Sequence, residues 1–384
     1  MAVEDDPPGA ILRSIVEPSA HIDEQYRSEI FQLDDGTILS GLVKGEAKGQ
    51  LLIASNPQQP EEVREIELEQ IERRRKSDVS LMPLGLLNNM GEQDIADLLT
   101  YVEAGGNANY FAYRNASVPR ESWSDPHLPV QSGLRLWLDA GRINDGRAAK
   151  GMTELIDGGS VGLWPDASGQ GWNARQRQSE SQPLFRSTIN GNWVEFDGEN
   201  DYLTATPARL KTLEFTAMLV VAPNHNRGWP GLISANALGR NDYQSGFNVD
   251  LMHESTASWQ TIMSEGPGYP GVVNMMHENH PWGQFMIVTL RSQPGDEGVL
   301  LKINGRAQGT RQRPAEWIEI EELTVGARYW SNDPLVPPFN RGFLCGRVAH
   351  VLFYDRALGD EELVANEVYL WNSNQSLLDP TLNK

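Results

Sequence analysis

The chain has 384 residues, and at roughly 150 residues per domain this length implies two or three domains with cores of their own, which excludes a disordered or fibrous protein. Lys and Arg number 32 against 52 Asp and Glu, a net charge of −20, so phosphate backbones and anionic headgroups are repelled and nucleic acid is excluded as a partner. The single cysteine, Cys345, rules out an intrachain disulfide, a thiolate zinc cluster and a C-x-x-C-H haem attachment within this chain.

In chain order, the start MAVEDDPPGA is acidic and prolyl where a signal peptide is basic and then apolar, which leaves a cytoplasmic protein or a piece of something longer. Ala10 to Val16 has apolar residues at helical spacing and stops before Pro18. Ser28 to Leu33 and Thr37 to Val43 flank Asp35-Gly36, a hairpin signal, and Leu51 to Ala54 and Val63 to Leu68 read as two further short strands. From Gly91 the run GEQDIADLLTYVEAGG sets Ile95, Leu98, Leu99 and Val102 on one helix face and stops at Gly105-Gly106.

Residues 107–132 lack periodicity and carry Pro119, Pro126 and Pro129, as a linker does. Beyond it, short strand-type runs follow at 134, 192, 213, 283, 298, 322 and 346 without intervening long helices, the pattern of an antiparallel sandwich. The longest apolar run, Thr216 to Ala222, is strand length, so no membrane span is expected. Asp360 to Trp371 is the one clear helix of this half, with Asp360 as its cap, and residues 375–384 form a tail.

LWLDA (136–140), WPDASGQGWNA (164–174), VEFDGENDYL (194–203), KINGR (302–306), TVGAR (324–328) and VLFYDRALGDEEL (351–363) occur in the order and spacing of LamG-like, concanavalin A-like jelly rolls, which residues 133–374 therefore resemble. Residues 1–106, through ILRSIVEPSAHIDEQYR, DGTILSGLV, SDVSLMPLGLL and DIADLLTYV, resemble the C-terminal portion of a planctomycete-type cytochrome c-like haem-binding domain. The fold class expected is mainly β: a jelly-roll sandwich preceded by a small α+β cytochrome-like remnant. Met82 matches that family's distal haem ligand. Haem c is expected only with a C-x-x-C-H segment upstream of this chain, and the resemblance implies a periplasmic or extracellular location.

Jelly rolls of this kind often hold calcium, and Asp139, Asp166, Asp197, Asp201 and Asp355 at predicted strand ends are the candidate ligands; the competing reading is that each caps its own turn. The 11 tryptophans include several in predicted loops. Trp229, Tyr269 and Trp330, with Asn332, suit a site where flat rings stack on a sugar and amides meet its hydroxyls. The competing reading is that they plug the ends of the sandwich. Glu319, Glu321 and Glu322 superficially resemble the acids of glycan hydrolases, but their spacing differs and Glu319 and Glu321 read as the solvent face of a strand. The function expected is a non-catalytic module that binds a glycan or a cell-surface protein. The alternatives are an electron-transfer protein completed upstream and a glycan-degrading enzyme.

Overall fold

Asp35-Gly36 turns the chain as its residues predict: Gly36 takes φ 84°, a left-handed backbone that costs glycine little, and the Asp35 carboxylate accepts the Thr37 N–H at 2.8 Å. The computed structural model describes residues 8–56, 59, 62–103, 120–207, 209–252 and 260–379. They fall into two units, Met1–Tyr110 and Phe111–Lys384.

In the first unit the hairpin strands Glu29–Leu33 and Ile38–Ala47 belong to a five-stranded antiparallel sheet, ordered Val63–Glu67, Gln50–Ala54, Ile38–Ala47, Glu29–Leu33, Ile71–Lys76. Phe31, Leu33, Leu51, Ile53 and Ile66 form its core. The edge strand Ile71–Lys76 (IERRRK) has too little apolar character to announce itself, and it is held by the backbone ladder and an Arg74–Glu29 ion pair. Helices Pro8–Val16 and Glu92–Glu103 are present where their spacing predicts; Gly105 and Gly106 lie outside the described residues. Met82 is 42% exposed in the segment between the last strand and the second helix.

The second unit is a sandwich of two antiparallel sheets. Its back sheet runs Arg306–Arg313, Gly295–Ile303, Met286–Ser292, Phe215–Pro223, Cys345–Tyr354, Gly191–Asp197, Leu184–Thr188, with Leu134–Asp139 also paired to Cys345–Tyr354. The front sheet runs Ile262–Glu265, Phe247–Leu251, Gly231–Asn236, Glu322–Val325, Leu203–Ala205, Ala174–Arg175, Leu163–Trp164. Alternation along each strand sends one set of side chains between the sheets. There Phe215 stacks on Phe247 with centroids 4.0 Å apart, and Phe247 on Phe353 at 5.5 Å.

The back sheet buries its outer face too. Met218, Val220 and Leu352 are covered by Leu363 and Leu370 of helix Asp360–Ser373, and by Leu128 and Val130. Residues 120–132, read from sequence as the end of a linker, therefore contribute to this second core, because Leu128 and Val130 carry enough apolar surface to pack there. Likewise Leu378, in the predicted tail, is buried on the short helix Gln375–Leu378. At the start of the long helix the cap is Gly359, not Asp360; the Glu362 carboxylate accepts the Gly359 N–H at 2.8 Å. Among the described residues no helix is long and apolar enough to cross a membrane.

Asp166 ties the strand Leu134–Asp139 to the turn that follows Trp164. It is fully buried and accepts hydrogen bonds from the N–H groups of Trp137 (2.9 Å), Ser168 (2.9 Å) and Trp172 (2.8 Å) and from the Ser168 hydroxyl (2.8 Å). Replacing Asp166 by Ala strands those donors in the interior and is expected to cost about 3 kcal/mol or more. Urea unfolding of the variant beside wild type measures it, and a loss within about 0.5 kcal/mol would show that water replaces the carboxylate.

Candidate functional site

Between the front strand Glu322–Val325 and the back strand Cys345–Tyr354 the chain leaves the sandwich as a hairpin, Arg328–Trp330 paired with Phe339–Arg341 and joined by the proline-rich loop 331–338. Arg328 fixes this hairpin to the front sheet. Its guanidinium makes a two-pronged contact with Asp242 (Nε and Nη2, both 2.9 Å), meets Asp250, and reaches Glu265 at 3.3 Å. Arg328 is 3% exposed, and Asp242 and Asp250 are wholly buried.

The same hairpin is held at its loop. Asn241 accepts the Ser331 N–H at 2.8 Å and donates to the Tyr243 hydroxyl at 2.9 Å, while that hydroxyl reaches Asn332 Oδ1 at 3.3 Å. Within the loop the Asp333 carboxylate accepts the Leu335 N–H at 2.9 Å. Pro334, Pro337 and Pro338 restrict the rest. The result is a fixed wall with a hollow on each side.

One hollow, about 420 Å³, lies between the loop and the segment Arg240, Asn241, Tyr243 and Gln244. The other, about 430 Å³, is lined by Trp330, Phe339, Arg341 and the same Asn332 and Asp333. Polar amides, one arginine and one carboxylate beside apolar Pro, Val and aromatic surface match what a sugar presents, hydroxyls at its edge and C–H groups on its face. In the second hollow Arg341 sits 4.1 Å from the centre of the Trp330 ring and 5.3 Å from that of Phe339. Arg328 approaches the Trp330 ring at 5.5 Å.

Of the four predicted contact residues, Trp330 and Asn332 share this site. Trp229 lies at the foot of the hairpin: its carbonyl approaches Gly342 so closely that a Cβ there would stand 2.4 Å away, and Gly342 has φ 63°. Tyr269 is spent elsewhere, its hydroxyl 2.9 Å from Ser292 Oγ, its ring under Arg311 at 4.9 Å and packed on the sandwich core. Tyr243, Phe339 and Arg341 escaped the sequence reading. The only signal for them is that GRNDYQ and PPFNR each place an aromatic beside turn residues.

The five candidate calcium acids do not converge. Asp139 accepts the Gly141 N–H, Asp166 is saturated as above, and Asp355 pairs with Arg135 at 2.7 Å. Only Asp197 and Asp201 share a turn, where Asp197 accepts the N–H groups of Glu199 and Asn200 and Asp201 accepts that of Asp197. Burial, with the charges of Asp197 and Glu199, pushes Asp201 up to about 6. Among the described residues no three His, Cys, Asp or Glu gather to hold an ion. These residues do not fit a shared calcium site. Haem fares similarly, since the chain's single cysteine lies in the second unit and cannot supply a pair of thioethers.

Residues 197–364 match the Concanavalin A-like lectin/glucanases superfamily. They form a concanavalin A-like jelly-roll domain. Among solved structures the chain is similar to domain 4 of AbnA, an extracellular arabinanase from Geobacillus stearothermophilus in complex with arabinotriose, at 12% identity over 48% of this chain and 80% of that one, TM-score 0.35. It is similar to the heptameric SAP-like pentraxin of Limulus polyphemus at 15% identity over 45% and 78%, TM-score 0.36. It is also similar to the Trypanosoma rangeli sialidase in complex with sialic acid at 13% identity over 90% and 44%, TM-score 0.41. No curated protein matches it.

Burial, helped by the like charges of Glu265 and Asp242 and opposed by Arg328, pushes the Asp250 carboxyl of this jelly roll up to about 7. The folded protein then holds a proton there that the unfolded chain has lost, so this group's contribution to stability falls as pH rises from the ordinary carboxylate range through 7. Asp250→Asn removes that slope. Wild-type stability relative to the variant is expected to drop by at least about 1 kcal/mol between pH 4 and pH 8. Denaturant unfolding at stepped pH measures it, and parallel profiles would place the charge on Asp250 throughout.

Proposed function

We propose that the jelly roll is a non-catalytic carbohydrate-binding module and that its ligand lies along loop 331–338. The observation that supports this most is the preformed wall itself, with Asn332 facing both hollows and Trp330 and Phe339 on one side. Its hydrogen bonds to Asn241 and Tyr243 order it before any ligand arrives, which lowers the entropy a glycan must overcome. An extracellular or periplasmic setting, where glycans are met, accompanies the reading.

A neutral glycan suits the charges. Arg328 is consumed by Asp242, Asp250 and Glu265, and Arg341 is offset by Asp333 in the same hollow. Hydrolysis is the weaker reading because the candidate acids have other partners: Glu319 pairs with Arg209 at 2.5 Å, Glu321 accepts the Leu238 N–H at 3.0 Å and Glu322 accepts from Asn236 at 3.0 Å. Electron transfer would belong to a longer protein that brings its own attachment cysteines, with exposed Met82 as the axial ligand.

A glycan array followed by calorimetry tests the reading. Binding is expected to keep its affinity when salt rises from 50 to about 500 mM, since stacking and hydrogen bonds between neutral groups are not screened as charge pairs are. Asn332→Ala should weaken it about fivefold, one hydrogen bond, and Trp330→Ala about tenfold, with folding of both checked by thermal melts. An array without hits, or hits indifferent to both changes, would leave the cleft as a protein-docking surface or as structure alone.

A further inference from the structure

The opposite side of the sandwich carries a third, smaller pocket. We propose that it binds a small planar carboxylate through Arg347, which lies against the touching rings of Trp193 and Phe285. The pocket encloses about 200 Å³ on the outer face of the back sheet, with Leu377 and Leu378 of the C-terminal helix forming its apolar side. The guanidinium stands 4.8 Å from the Phe285 centroid and 5.7 Å from that of Trp193. The two rings meet edge to face at 5.9 Å.

Little holds the arginine in place. Among the described residues Arg347 makes one hydrogen bond to protein, Nη2 to the Gly283 carbonyl, and no ion pair. Glu195 faces it across the strands, yet Glu195 is taken by Arg186 at 2.5 Å. Other arginines are better served: buried Arg311 donates to three backbone carbonyls, of Ser264, Pro270 and Gly271, and half-buried Arg356 makes a two-pronged pair with Glu362 at 2.7 Å. Among the described residues the indole N–H of Trp193, which also lines the pocket, has no acceptor. A cation removed from water without a counter-charge is unfavourable, and so is an idle buried donor.

The missing partner is therefore an acceptor-rich anion. A carboxylate matches the flat fork of a guanidinium with two parallel hydrogen bonds, and a planar body fits against the ring walls. At about 200 Å³ the space admits a molecule the size of benzoate, and it is too small for an oligosaccharide. Asn190 and Gln284 at the rim add amides for a further polar substituent.

Benzoate is the probe, titrated into the full chain by calorimetry and saturation-transfer NMR. Saturable binding with one site is expected, with benzamide, which has the same shape and no charge, at least roughly tenfold weaker. Arg347→Gln should lower benzoate affinity at least tenfold, and Arg347→Lys, which keeps the charge and loses the fork, by an intermediate factor. Should the Gln variant melt early, Trp193→Phe, which removes only the indole N–H donor and keeps an aromatic wall, is expected to weaken binding severalfold in a folded protein. No binding up to about 10 mM, equal affinity for benzamide, or undiminished binding by Arg347→Gln overturns the proposal. Sulfate competing as well as benzoate does too, since it would show a site for charge alone.

Discussion

One buried guanidinium carries the architecture of the candidate cleft. Arg328 leads the hairpin 328–341, and its contacts with Asp242, Asp250 and Glu265 come from three separate segments of the front face. Breaking such a cluster leaves uncompensated charge in the interior, whereas forming it yields little net stability. Its effect is positional. With Arg328 in place, Ser331 falls within reach of Asn241 and Asn332 within reach of Tyr243, and loop 331–338 acquires a single geometry.

That clamp accounts for an unusual feature of the front sheet. Its inward residues, Ile233, Ala235, Phe247, Val249, Leu323 and Val325, are ordinary sandwich core. Its outward row, in register across the strands, is Thr204, Thr324, Ser234, Asn248 and Glu265. Polar outward residues normally face water. Here Ser234 and Asn248 are 0% exposed, and the segments packed over them supply partners: the Ala327 carbonyl, just before the hairpin, accepts from Ser234 at 3.0 Å, and the Asp242 carboxylate accepts from the Asn248 amide at 3.5 Å. The sheet has exchanged solvent for a polar strap.

Where periodicity and a neighbouring turn agree, residues and structure agree. The Asp35-Gly36 hairpin, the buried strand Phe215–Pro223 and the helix Asp360–Ser373 are legible because each depends on contacts within a few positions or on a long apolar run. RYWSNDPLVPPFNR reads as loop, since the strands Arg328–Trp330 and Phe339–Arg341 are three residues each and most of what holds them lies in the 241–265 region. The turn acids mislead for the same reason. Asp166 and Asp201 look alike in sequence, yet Asp166 is surrounded by donors from Trp137 to Trp172, and Asp201 sits beside other acids.

Net charge is a similarly blunt guide to what such a molecule binds. At physiological salt the field of a −20 surface decays over about 8 Å, so a pocket senses the groups within one or two side-chain lengths and little else. Loop 331–338 balances Arg341 with Asp333, while the back pocket has Arg347 with its nearest carboxylate already engaged by another arginine. An acidic chain can thus present one locally neutral hollow and one locally cationic one. The two sit on opposite faces of one sandwich, each built where a strand side chain emerges from a sheet and a non-sheet segment packs over it: the hairpin on the front, the C-terminal helices on the back. The rigid sheets supply position, and the covering segments decide which polar atoms are left for something else to satisfy.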